Sequence, residues 1–221
     1  MNEVVAKPGD LSDSYWARLS SKDKALYGLV RPQPKAVYTV DVRLDGLEAF
    51  LAGQERDLAS MGGRLELEPD FQRGHVWTDE QRIHYVENLL RGNAPRLIRF
   101  NAADWSGRGI RGDLPAHHLQ CIDGLQRMTA LRRFLAGEMR LFGSSVGVAE
   151  LKGSPFDPGR FTVQVAVHEF ANRSDLLQFY LDLNSGGTVH ADRELERVRG
   201  LLRASSAPGS SEPARSRMSA R

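Results

Sequence analysis

Three short stretches of this chain place bonding-capable side chains where core packing and turn geometry do not demand them. The first is Pro69-Asp70-Phe71-Gln72-Arg73-Gly74-His75-Val76-Trp77. Gln72 and Arg73 beside Gly74 can present an amide and a guanidinium to a ligand, and the planar fork of arginine bonds two phosphate oxygens at once. The plainer account makes Phe71, Val76 and Trp77 core and pairs Arg73 with a carboxylate. The second is Ile122-Asp123-Gly124-Leu125-Gln126-Arg127. An apolar strand ends, Gly124 permits a sharp turn and a helix begins. The unpaired N–H groups of a helix start, with the macrodipole, favour an anion. Arg127 stands in the first turn, where that dipole disfavours a cation, so its position suggests a nearby anion. Asp123 can cap the helix, orient a water or hold Mg²⁺ through water. The third is Asn184-Ser185-Gly186-Gly187-Thr188. Its glycines allow left-handed conformations and an N–H nest for phosphate; an ordinary helix end with a turn accounts for the same residues.

These stretches need elements to hold them. Thr78 with Gln81 three residues on is a capping-box pattern. It predicts a helix over 79–91 that buries Ile83, Val86 and Leu90 and stops at Gly92. Strands are expected over 37–42, 64–68, 96–100, 118–122 and 161–167, and further helices over 14–29, 45–52, 126–135, 175–183 and 191–203. Residues 101–116 are polar and glycine-rich and read as a loop. This irregular alternation predicts an α+β fold, a mixed sheet with flanking helices in a single domain. An N-terminal arm is expected over 1–35, the folded domain over 36–203 and a disordered tail over 204–221.

Composition narrows the classes. Hydrophobic residues are 41% and charged residues 26% of the 221, an ordinary globular balance. No apolar run is long enough for a membrane span and the first ten residues lack a signal-peptide core, so a cytoplasmic protein, bacterial or in the host cell if phage-encoded, is expected. The net charge of +2 belongs to the tail, through Arg215, Arg217 and Arg221 against Glu212. The rest is balanced, which argues against strong DNA affinity. The single cysteine, Cys121, excludes an internal disulfide and a Cys-based zinc site and reads as a small buried hydrophobe. His117 and His118 alternate along a strand. His84, Glu80 and Glu87 read as a solvated helical stripe, and His168 and His190 lack partners at ligand spacing. No GxGxxG after a strand and no GxxxxGK[ST] occurs.

Taken in order, 69–77, the Leu89-Leu90-Arg91-Gly92 turn, Asp123 to Leu131 and Asn184 to Thr188 resemble the amino-terminal domain of GmrSD-type restriction systems. That family's pattern is P-x-F-Q-R-x-x-V-W, LLRG, D-G-Q-Q-R-x-T-A-L and N-x-G-G-T, and the resemblance spans about residues 40–200. It implies a ParB/sulfiredoxin-like fold that binds a nucleoside triphosphate with Mg²⁺. On the matching positions, Asp123, Gln126 and Arg127 would be catalytic. Gln72, Arg73, Gly124, Arg127, Asn184, Gly186, Gly187 and Thr188 would bind the nucleotide, and Asp123 would assist a metal or water. Leu125 stands where the family has glutamine, which either weakens hydrolysis or, if the side chain faces the core, changes little. Larger relatives continue into an HNH-type nuclease domain. Here DNA cleavage would need a partner nuclease subunit. Three activities are expected to compete: an NTPase of a restriction or anti-phage system, a phosphotransferase acting on a nucleotide, modified base or small molecule, and a non-catalytic ParB-like module whose nucleotide gates a DNA or protein contact.

Overall fold

A computed structural model describes residues 5, 7–8, 11–72, 74, 76–109, 111–185 and 192–206. Its centre is one five-stranded mixed sheet. The strands are β1 (Tyr38–Arg43), β2 (Arg64–Glu66), β3 (Leu97–Asn101), β4 (His118–Asp123) and β5 (Thr162–His168), in the order β1-β5-β3-β4-β2. β1 runs antiparallel to β5 and β3 antiparallel to β4, whereas β5–β3 and β4–β2 are parallel pairs. The fold is therefore α+β, with helices on both faces. The helices are α1 (Asp13–Arg18), α2 (Ser21–Val30), α3 (Leu47–Ser60), α4 (Asp79–Leu90), α5 (Leu125–Leu135), α6 (Val148–Leu151), α7 (Arg173–Ser185) and α8 (Asp192–Ser205).

Side chains alternate across a strand, and adjacent residues of β4 feed two separate cores. Cys121 joins the larger one, in which Ile98, Phe100, Val163 and Val165 of the sheet pack against Leu47 and Leu51 of α3, Val86 and Leu89 of α4, and Met128, Leu131 and Phe134 of α5. Ile122 joins the smaller one, with Leu176, Leu177 and Tyr180 of α7, Val198 of α8 and Phe71 from the turn after β2. The site lies where β4 ends between them.

Several boundaries differ from expectation for local reasons. The arm holds two helices instead of one over 14–29, because Ser20 takes an extended conformation and caps α2 by accepting from the Asp23 N–H. α3 runs past 52 to Ser60, since Leu58 extends the buried stripe of Leu47 and Leu51. α7 continues through Asn184 to Ser185, where a break was expected. The capping box of α4 is present in both directions. Residues 207–221, most of the expected tail, lie outside the described residues. No helix among the described residues is long and apolar enough to cross a membrane.

Candidate functional site

The β4–α5 junction is built by one glycine. Gly124 has φ +107, and a Cβ there would lie 3.1 Å from the Ile98 Cα. Only glycine meets both demands without strain. Gly124 caps α5 without any side-chain hydrogen bond and no acidic residue occupies the first turn. Asp123 is not the cap that the sequence allowed. It ends β4, and its Oδ2 accepts from Arg99 Nη1 at 3.0 Å and sits 2.7 Å from Arg127 Nη2. The anion expected beside Arg127 is thus supplied by the chain itself.

An open cleft of about 980 Å³ lies over this junction, and Gln72, Asp123, Gly124, Gln126, Arg127 and Asn184 all line it. The described residues of the three stretches therefore converge. Arg73, Gly186, Gly187 and Thr188 lie outside the described residues, as does His190. Gln72 is fixed by donating from Nε2 to the Cys121 carbonyl at 3.0 Å. Gln126 donates to the Gly74 carbonyl at 2.9 Å and accepts from the Trp77 N–H at 3.2 Å. Both ends of its amide hold backbone, at Gly74 and at Trp77, which makes it a positioning residue in this geometry. Asn184, in the last turn of α7, donates to the Tyr180 carbonyl at 2.7 Å. Leu125 is 3% exposed and belongs to the larger core, so its side chain faces inward.

The turn that carries Gln72 is held from below. Phe71 is fully buried, and Arg197 of α8 donates to the carbonyls of Asp70 at 2.6 Å and Phe71 at 2.9 Å. Arg173 pairs with the Asp70 carboxylate at 2.5 Å.

Sequence reasoning missed much of the cleft wall. His84, Tyr85 and Asn88 of α4, Asn93 after it and Tyr180 of α7 all line it. The His84 ring nitrogen Nε2 and Asn88 Nδ2 are 3.0 Å apart; His84 is exposed at the cleft edge, while Glu80 and Glu87 of the expected solvated stripe are not among the lining residues. Tyr85 packs at a tilt against Trp77, ring centroids 5.5 Å apart, and donates to the Pro95 carbonyl at 3.0 Å. Burial pushes its hydroxyl up to about 12, against the opposing pull of Arg127. It is a neutral wall, not a base. Burial, reinforced by the Asp123 charge, likewise pushes the Cys121 thiol up, as befits the buried hydrophobe expected.

The magnesium expectation rests on a single, already engaged carboxylate. Asp123 is the one carboxylate among the lining residues described, and its Oδ2 already carries two guanidinium groups. Protein-held Mg²⁺ wants carboxylate oxygens with charge to give, and this one is already neutralised by two cations. Among the described residues no three His, Cys, Asp or Glu side chains are grouped to hold a metal ion.

A second hollow of about 890 Å³ lies between the arm and the end of β5, lined by Arg31, Lys35, Arg108, His168, Phe170 and Phe179 among others. His168 is 4% exposed, its Nδ1 has no partner among the described residues, and its ring lies 4.6 Å from Phe179 and 5.9 Å from Phe170. Burial, helped by the charge of Arg99, lowers its pKa to about 4. Compared with family models, curated proteins and solved structures, the chain matches none.

Proposed function

We propose that this chain is a nucleoside-triphosphate-binding module of the ParB/sulfiredoxin-like type, related to the amino-terminal domain of GmrSD-type restriction systems, and that it hydrolyses the bound nucleotide. The observation that carries this reading is convergence: Gln72, Asp123 to Arg127 and Asn184, far apart in the chain, line one cleft. The aromatic rings of Trp77, Tyr85 and Tyr180 suit a base or ribose, and amides around them supply hydrogen bonds. Arg127 and the N–H groups of the first turn of α5 suit a phosphate. Gln126 holds the backbone at Gly74 and Trp77 beside the cleft, and Gly124 lets α5 start close against β3. Phosphoryl transfer requires chiefly such positioning and charge neutralisation.

Binding without turnover is the second reading. Asp123 and Gln126, both expected to be catalytic, are engaged with two arginines and with backbone respectively. In that case the nucleotide gates a contact with DNA or with a nuclease subunit in the cytoplasm of a bacterium or a phage-infected host.

The test is incubation with each γ-labelled nucleoside triphosphate, with and without DNA, beside Arg127→Ala. Labelled phosphate released by wild type alone supports the NTPase. Label on an acceptor establishes a phosphotransferase instead. If nucleotide binds, with Arg127→Ala weakening it, and no label moves, the binding reading stands. If nothing binds, both fall.

A further inference from the structure

Arg99 belongs to none of the stretches that the sequence singled out. It stands on β3 opposite Asp123 of β4, and the pairing shifts register between Arg99 and Phe100. Such irregularities re-aim side chains, and here Arg99 reaches the same carboxylate oxygen as Arg127, at 3.0 Å against 2.7 Å. Two guanidinium forks therefore share one oxygen, although each is built to bind two. Of the three side chains the carboxylate is the most exposed, at 36%, against 26% for Arg99 and 15% for Arg127. The cations are the more enclosed groups, and the anion is the one with room to leave.

We propose that Arg99 and Arg127 together form a two-armed oxyanion site for the terminal phosphoryl group of a polyphosphate, and that Asp123 is an internal competitor for it. This rests on the nucleotide reading above. A terminal phosphoryl group offers three oxygens where Asp123 offers one shared oxygen, so both forks can bond more fully. The start of α5, which has no side-chain cap, adds N–H donors at the same junction. Displacing a carboxylate costs the incoming anion one ion-pair partnership, so the exchange favours di- and triphosphates over monophosphates. The apparent affinity of any ligand falls by the fraction of time for which Asp123 holds the site.

The test titrates ATP, AMP and inorganic tripolyphosphate calorimetrically into wild type, Asp123→Asn, Arg99→Gln, the double variant and Arg127→Ala, each checked for folding by its thermal transition. Asp123→Ser serves if the asparagine variant does not fold. Removing the competitor should tighten tripolyphosphate about tenfold and narrow the ATP-over-AMP preference. Arg99→Gln should weaken tripolyphosphate about tenfold, in the wild-type and in the Asp123→Asn background alike. If Arg99 merely tethers Asp123, its loss will leave binding unchanged or improved, and the two-armed site is overturned. If ATP binds wild type, Arg127→Ala abolishes that binding and Asp123→Asn brings no gain, the competitor is overturned while the nucleotide reading stands. If neither wild type nor Asp123→Asn binds ATP or tripolyphosphate, both ideas fall together.

Discussion

Two hollows of similar size, about 980 and 890 Å³, flank this sheet and treat their polar groups in opposite ways. At the end of β4 the charges are paired and partly exposed: Asp123 is held by Arg99 and Arg127, and amides line the wall. At the end of β5 an ion pair, Arg108 with Glu169, also lines the hollow, but the most enclosed polar group is a histidine packed against Phe170 and Phe179, its Nδ1 without a partner among the described residues. An exposed ion pair can be exchanged for a ligand at modest cost, because water screens what is lost. An imidazole sealed among rings can take up a proton only against its own desolvation. The first arrangement suits binding; the second makes a stability element that depends on staying uncharged.

The largest expected effect is on Gly124. Gly124→Ala forces a side chain into φ +107 and against Ile98, and should destabilise the fold by about 4 kcal/mol from backbone strain and overpacking together. Chemical denaturation measures it. A loss below about 1 kcal/mol would mean that the junction yields easily, removing the rigidity that sets the first hollow apart.

Next comes the pH response of the second hollow. The folded pKa of His168, about 4, lies below the ordinary 6.5. As pH falls from about 7, the unfolded chain takes the proton first, so this contribution is full above about 6.5 and is lost towards 4. Wild type should lose up to about 3 kcal/mol more than His168→Leu across that window. Equal losses in denaturation at pH 7 and pH 4.5 would show that the imidazole is solvated and erase the contrast.

The smallest effect concerns Gln126. Gln126→Ala should cost about 1–2 kcal/mol through its two backbone hydrogen bonds, with faster amide exchange at Trp77 and little change near His168. Unaltered exchange at Trp77 would remove its positioning role.

What sequence could show of this arrangement follows the range of the interaction. The Thr78–Gln81 capping box and the Asp123-Gly124 turn are settled within a few residues, and both stand as expected. The buried stripe of α4 was legible in part: Val86 and Leu90 are buried as expected, Ile83 is half-buried, and Tyr85 and Leu89 were missed; that His84 and Asn88 reach a cleft depends on what packs opposite. Arg99 could not be found by local pattern, since its partner is set by strand register. Asn184 was misplaced in a loop because the glycines after it invite a break, whereas Leu176, Leu177 and Tyr180 buried on one side sustain the helix through it. The inward Leu125 is a matter of helix rotation, which a motif comparison does not see.

The contacts that shape the cleft span long stretches of chain: 49 positions separate Gln72 from Cys121 and also Trp77 from Gln126. Such walls have no counterpart in a partly folded chain. They form only when distant parts of the chain have come together, and a ligand that needs them will recognise the folded molecule. Occupancy should therefore raise the melting temperature in proportion to the logarithm of ligand concentration once binding saturates. A thermal-shift screen of nucleotides and polyphosphates can then find the ligand without assuming any reaction.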